Sequence, residues 1–485
     1  MMRSLYAGVA GLKTHQTKMD VLGNNIANVN TTSFKSQSIT FSDLMYQTTQ
    51  AASAPTQNRG GINSRQIGLG AKSGAIATAI EGQGASQTTN NPFDIMIAGK
   101  SFFVVDNGTG TKMYTRDGSF FIDGAGNLAM QANGYMVQGW TAETDKDTGE
   151  ILVDQSKEVG GLQIMSSDNY TYAPASTINA LFSGNIDDND RNINSDDGKT
   201  ITLEFYDNKG YLYTAKFILT KTKVDDFDEL NPQYKEHEFD LELKDIINSK
   251  GQSVGIDKVS FIQEDEAGEI IDEGKYTISL KFDPKTGDII SAHGNTTDQK
   301  VKLLFDQTEG EGFEAFGFQK SPNVKNEPRH AGQFEIDFST VTNYNTNGTA
   351  TIKAVKGDKK SLNTGRAVGE MNGINISTDG QIYATYSNGQ TKLLGQIATA
   401  QFANAAGLSK QGDNLYSTTL NSGTATIQDI TADGGYMNTG VLEMSNVDLS
   451  KEFTEMITTQ RGFQANSRII TVSDTLLEEL TNLKR

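Results

Sequence analysis

The sequence predicts a mainly β protein, with nested central domains carried between long α-helical coiled-coil termini. Three observations predict it: apolar residues recur every seven positions at both ends, two separated stretches alternate short apolar runs with Asn-Gly and Asp-Gly pairs, and a long acidic, β-rich segment lies between those stretches.

The N-terminal helix is expected over residues 1–29. Leu5, Leu12, Met19 and Ile26 fall seven apart, as they must to keep one seam of an α-helix facing a partner. The C-terminal helix, within 431–485 after a short connector, repeats the pattern with Leu449, Met456, Phe463, Ile470 and Leu477. The second column of each seam is more polar, with Val9, Gln16 and Gly23 at one end and Phe453, Gln460, Ser467, Asp474 and Thr481 at the other. Seam polar groups cost stability unless they are partnered, so neither helix is suited to a simple two-stranded coil with itself. Two arrangements stay open: assembly with several neighbours, or an antiparallel pair within one chain.

Residues 30–71 are polar with isolated apolar residues and read as an extended or irregular connector. Residues 72–149 hold Phe93, Ile95, Ile97, Phe103 and Val105, punctuated by Asn107-Gly108, Asp117-Gly118, Asp123-Gly124 and Asn133-Gly134. Such pairs favour the positive φ of type I′ hairpins, so a meander of short antiparallel strands is expected. Residues 369–430 repeat this character with Ile374, Ile376, Ile382 and Leu394 around Asp379-Gly380 and Asn388-Gly389. The two stretches are read as one discontinuous domain, with residues 150–368 inserted as an outer β-rich domain of one or two parts.

Composition narrows the function. The 485 residues include 60 acidic and 42 basic side chains, and a net charge of −18 argues against nonspecific nucleic-acid binding and against anionic membrane surfaces. There is no cysteine, hence no disulfide, thiolate metal site or thiol nucleophile. No apolar run is long enough to span a bilayer, and no cleavable leader is evident, which leaves a cytoplasmic chain or one exported without a cleaved signal. His15, His237, His293 and His330 share no metal-ligand spacing. The acidic loop Asp187 to Asp190 with Asp196 and Asp197 lacks the pattern of a calcium loop, since Ile193 and Lys199 stand where Gly and Glu are needed. Neighbouring acids such as Asp225 and Asp226, or Glu264 and Asp265, read as solubilising because adjacent strand residues point to opposite faces. No catalytic residue, cofactor or metal is expected.

Two long motifs carry a resemblance. The segment Gly23-Asn24-Asn25-Ile26-Ala27-Asn28-Val29-Asn30-Thr31-Thr32-Ser33-Phe34-Lys35 resembles the N-terminal signature of bacterial flagellar rod, hook and hook-associated axial proteins. Leu442-Glu443-Met444-Ser445-Asn446-Val447-Asp448-Leu449 and Gln460-Arg461-Gly462-Phe463-Gln464-Ala465-Asn466-Ser467 resemble their C-terminal signature. Tyr114 to Phe120, Gln138-Gly139-Trp140, Tyr386 to Gln390 and Phe402 to Leu408 resemble the strand domain of the hook members. Ser33 and Ser101 depart from the pattern, where the family usually has Gly.

The resemblance implies a structural, non-enzymatic subunit that assembles with itself into a curved helical tube outside the cell, a universal joint between rod and filament. It also implies type III export and contact with rod, hook cap and hook-filament junction proteins. The assembly residues expected are Leu5, Val9, Leu12, Met19, Asn24, Asn25, Ile26, Asn28, Leu449, Phe453, Met456, Gln460, Phe463, Gln464, Asn466, Ile470 and Leu477. Phe41 and Met45 match an export-gate pattern of Phe followed four residues later by an apolar residue, although the same spacing serves a packing contact. The alternatives are a distal rod subunit, which is expected to lack a large insertion, and a surface adhesin or enzyme with axial-type ends.

Overall fold

The computed structural model describes residues 2–57, 59–144, 151–224, 234–256, 259–264, 270–274, 276–305 and 333–483. Asp225, Asp226, Asp265 and His330 lie outside them. The chain divides into two compact units, one of residues 1–170, 372–385 and 391–485, the other of residues 171–371 and 386–390. The first contains helices α1 (Met2–Ala27) and α2 (Leu449–Asn482); the second, among the described residues, is built of strands and turns.

In the first unit a sheet runs in the spatial order Gln381–Tyr386, Thr391–Ile397, Met136–Thr144, Phe102–Asp106, Lys112–Thr115, Leu415–Ser417 and Ser409–Gly412. Strands from residues 102–144 thus hydrogen-bond with strands from residues 391–417, for example Trp140 opposite Gln396 and Tyr416 opposite Tyr114. Phe102, Val104, Tyr114, Ala400, Phe402 and Tyr416 form a buried cluster on it. The rings pack edge to face, with Tyr114 and Phe402 centroids 4.8 Å apart.

The turns differ from the expected type I′ hairpins. Gly108, Gly134, Gly380 and Gly389 take positive φ, but the Asn or Asp before each does not. The side chain of that residue instead accepts the backbone N–H two positions on, as at Asn107 from Thr109 (3.0 Å) and Asn133 from Tyr135 (3.1 Å), so the polar group closes an Asx turn and Gly alone supplies the left-handed step. Gly118 is needed for another reason: a Cβ there would run into the Ile95 carbonyl.

The segment expected as an extended or irregular connector is largely paired into strands. Gln37–Asp43 lies antiparallel to Ala71–Thr78, and Tyr46–Gln50 to Arg65–Gly68. Most of these residues are solvent-exposed on both faces, so the apolar alternation that marks a half-buried strand is missing from their sequence.

The second unit packs a five-stranded and a six-stranded sheet. The first orders Lys199–Tyr206, Leu212–Lys223, Tyr234–Asn248, Thr277–Phe282 and Ile289–Ala292. In the second, Asn179–Asn185 runs parallel to Gln333–Thr342. Phe205, Phe217, Phe239 and Leu241 of one sheet join Phe182, Phe261, Leu303 and Phe338 of the other in one continuous core. The alternation along Leu212–Lys223, with Tyr213, Ala215, Phe217 and Leu219 buried, is what lets one face meet the facing sheet.

Burial pushes the Tyr416 phenol up to about 12, with Glu443 adding to the rise and Arg116 opposing it. An unfolded tyrosine ionises near 10, so the contribution of Tyr416 to stability is complete below about pH 10 and is lost as pH rises towards about 12. Urea unfolding at pH 9 and 11 checks this: the wild type loses more stability over that interval than Tyr416→Phe, and equal losses would refute it.

Candidate assembly interface

The two terminal helices lie against each other in antiparallel sense. Gly8 faces Ile470, Gly11 faces Asn466, His15 faces Gly462, Lys18 pairs with Glu455 at 3.1 Å and the Asn25 carboxamide donates to Glu452 at 3.1 Å. On α1 the contact column is Gly8, Gly11, His15, Lys18 and Asn25, with Leu22 buried in the same series; the steps alternate three and four. On α2 it is Glu452, Glu455, Thr459, Gly462, Asn466 and Ser473, again in heptad register. The contact columns keep the period of seven, but glycine and small or polar residues make up most of the intrachain seam, with Leu22 and Ile470 as apolar members. Glycines let the helices approach closely: a Cβ at Gly11 would lie 2.5 Å from Asn466 Nδ2, and one at Gly462 would lie 2.8 Å from the His15 ring.

The expected apolar columns sit beside that seam. Leu5, Leu12, Met19, Ile26, Met456, Phe463, Ile470 and Leu477 are half-buried, while Val9, Asn24, Leu449, Phe453, Gln460 and Gln464 are exposed. Among the expected residues, Asn25, Asn466 and Ile470 reach across to the other helix. Phe453, Ile457 and Val472 remain 49%, 53% and 57% exposed, and Val9 54%, so the helix pair carries apolar surface that this chain does not cover.

The asparagines have local duties. Asn28 donates to the Asn24 carbonyl at 2.9 Å and closes α1. Asn25 is fully buried: its Nδ2 donates to the Gln37 carbonyl and its Oδ1 accepts from Gln37 N–H, which fastens the helix end to the following strand. At the other end Asp448 caps α2 by accepting from Ser450 and Lys451 N–H.

Both signature motifs converge on a buried ionic cluster that the seven-residue repeat does not reveal. Lys35 Nζ donates to Glu443 Oε1 and to the Gly82 carbonyl, both at 2.7 Å. Arg116 lies 3.9 Å from Glu443 Oε2 and donates to the Gly99 carbonyl at 2.7 Å, and the Gly84 N–H donates to Glu443 Oε1 at 2.9 Å. The side chains of Lys35, Glu443 and Arg116 are no more than 1% exposed. Burial holds the Lys35 amine below its usual range, and the Glu443 charge and hydrogen bond oppose that shift. Asn446 ties in beside them, accepting from Ser36 N–H at 2.8 Å and donating to the Gly82 carbonyl at 3.0 Å. The charged residues are all within the quoted motifs, but nothing in the spacing around Glu443 announces a partner 408 residues away.

The two departures from the family pattern fall on this frame. Ser33 takes φ 55°, the left-handed region that favours glycine, and its hydroxyl donates to the Arg116 carbonyl at 2.8 Å. Ser101 is buried, with its hydroxyl 2.5 Å from Asp433 Oδ2.

Phe41 is 40% exposed with its ring centroid 6.1 Å from that of His15, and Met45 is 67% exposed. Asp187 accepts backbone N–H groups of Asn189, Thr346 and Gly348; burial pushes its carboxyl up, but these bonds outweigh it and hold it below the usual carboxylate range. His237 shares its Nδ1 between Asp188 and Asn343, and no metal-ligating cluster occurs among the described residues.

Family models described as flagella basal body rod protein, flagellar hook protein FlgE/F/G D1 domain, and flagellar basal body rod FlgEFG protein C-terminal match residues 5–35, 96–173 and 438–483. The chain is 34% identical to the flagellar hook protein FlgE of Borreliella burgdorferi and 33% identical to that of Treponema pallidum, in each case over 100% of both chains. It is also 28% identical to the flagellar basal-body rod protein FlgG of Bacillus subtilis, again over 100% of both.

A side chain at Gly462 has no room against His15. Gly462→Val is expected to separate the helices and raise amide exchange throughout α1, while exchange in the strands of residues 102–144 stays unchanged; unaltered protection of α1 would refute the seam.

Proposed function

This chain belongs to the flagellar hook protein family, and we propose that it builds the hook by assembling with copies of itself through the helix faces left uncovered in the single chain. It is a structural subunit of the bacterial flagellum. The observation that carries the assembly reading is the apolar surface at Val9, Phe453, Ile457 and Val472, on helices whose own mutual contact is already satisfied elsewhere. Exposed apolar surface of this kind marks an interaction site. The columns expected from the sequence, from Leu5 to Ile26 and from Leu449 to Leu477, then form the flank of a bundle in which several helices meet as a coiled coil. The strand units are carried outside that bundle, and sliding between copies lets the tube bend while it transmits torque.

Chain length does not by itself separate hook from rod subunit, because the rod-named relative is matched over 100% of both chains. Higher identity to two hook proteins, 34% and 33% against 28%, favours the hook. We read the chain as non-enzymatic, as its family is structural, and as reaching its position by type III export. Rod, cap and junction proteins are its neighbours in that reading.

Phe453→Asp tests the assembly face. The side chain is exposed in the single chain, so the folded subunit should keep its strand spectrum and melting temperature. In a bundle the carboxylate would be buried at a cost on the order of a few kcal/mol, and electron microscopy should find no tubes. Normal tubes would overturn the proposal. For Phe41, secretion is the readout: Phe41→Ala is expected to lower the amount exported at unchanged expression, whereas normal secretion would leave only its packing against His15.

A further inference from the structure

Lys35, Arg116 and Glu443 come from three distant parts of the chain and meet in one buried site of the first unit. Before Glu443 arrives, closing the N-terminal signature onto the strands would place two buried cations together, and the Arg116 charge does lower the affinity of Lys35 for its proton. Burying like charges without a counter-ion is strongly unfavourable. Glu443 is the group that removes the conflict, since it touches Lys35 directly and lies opposite Arg116. Five residues later the chain enters α2 at its Asp448 cap. On the other side, Lys35 is followed by Ser36 and Gln37, which are held by Asn446 and by Asn25 of α1.

We infer that the Lys35–Arg116–Glu443 cluster is an electrostatic gate: it keeps the N-terminal helix undocked until the C-terminal motif is in place, and so sets when the paired helices become competent to assemble. The three residues act as positioning residues for the assembly face. This rests on the assembly role proposed above, but it is tested on the single chain as well as on the tube. The gate depends on the sign of the charges, not on hydrogen bonds alone, and that distinguishes it from an ordinary structural contact.

Glu443→Gln keeps the shape and the acceptor for Gly84 N–H but leaves Lys35 without its counter-ion and Arg116 with only the nearby charge of Asp433. Lys35→Met leaves Glu443 facing Arg116 alone. The double variant Lys35→Met/Glu443→Gln leaves one cation, Arg116, which retains the Gly99 carbonyl and the nearby charge of Asp433. The expected order is therefore distinctive. Glu443→Gln should raise amide exchange of α1 in the monomer and raise the critical concentration for polymerisation by about tenfold or more. Lys35→Met should do markedly less, and the double variant should recover much of what Glu443→Gln lost. If Lys35→Met is at least as damaging as Glu443→Gln, or the double variant is no better than Glu443→Gln, the charge gate is wrong. Should Glu443→Gln fail to fold, α1 protection in the other two variants still decides: the gate requires the double variant to fold with α1 docked. Loss of tubes with normal α1 protection in all three would count against the gate without touching the assembly face.

Discussion

The ion pair between Lys35 and Glu443, buried with Arg116 beside it, is the constraint on which the first unit depends. Removing one partner of such a pair typically costs about 3–5 kcal/mol because the remaining charge stays buried. That cost is local, but its consequence is not. The N-terminal signature can reach its place only when the C-terminal motif occupies its own, so the beginning and the end of the chain are tied to the same strands. Asn25, Asn446, Ser33 and Gly82 extend the tie into the helix end, the first strand and the loop before the sheet. Polar groups do this better than apolar ones could, since each hydrogen bond has a direction and only one arrangement satisfies all of them.

Helix pairing follows from that frame. An isolated helix of this composition is marginal in water. Once both helix roots are fixed near each other, glycine at positions 8, 11 and 462 allows close approach, and Asn466, His15, Lys18 and Glu455 fill the seam. A seam made mostly of small and polar residues leaves most of the bulky apolar ones, Leu22 and Ile470 apart, outside it. The division of labour is physical: the intrachain contact uses close backbone approach and specific polar pairs, while Phe453 and Ile457 keep their surface for association, which is driven by burial of apolar area. The second unit needs none of this machinery. Its Phe182, Phe217, Phe261 and Phe338 supply a core of its own, and its acidic surface suits exposure to water.

Much was legible in the chain. The seven-residue period placed both helices, because a helix must present one face repeatedly and the pattern is local. Alternating apolar residues placed the strands around Ile97 and Phe103 for the same reason. The absence of cysteine and the −18 charge were matters of composition alone. Turn type was less legible, since an Asn-Gly pair serves either a type I′ turn or an Asx turn with a left-handed glycine, and the neighbouring strands choose. The paired arm from Gln37 to Thr78 escaped notice because exposed strands carry no apolar alternation.

What the sequence determined by itself was therefore much of what depends on neighbours within a turn or two: the two terminal helices and their seven-residue period, the composition and the two signature motifs. Only the tertiary structure decided which column of each heptad faces the other helix, and that Lys35, Arg116 and Glu443 share one site. Both are long-range matters. A column one position away has the same period, so periodicity cannot rank them, and a buried charge is recognised by the counter-charge that meets it, which here lies 408 residues along the chain.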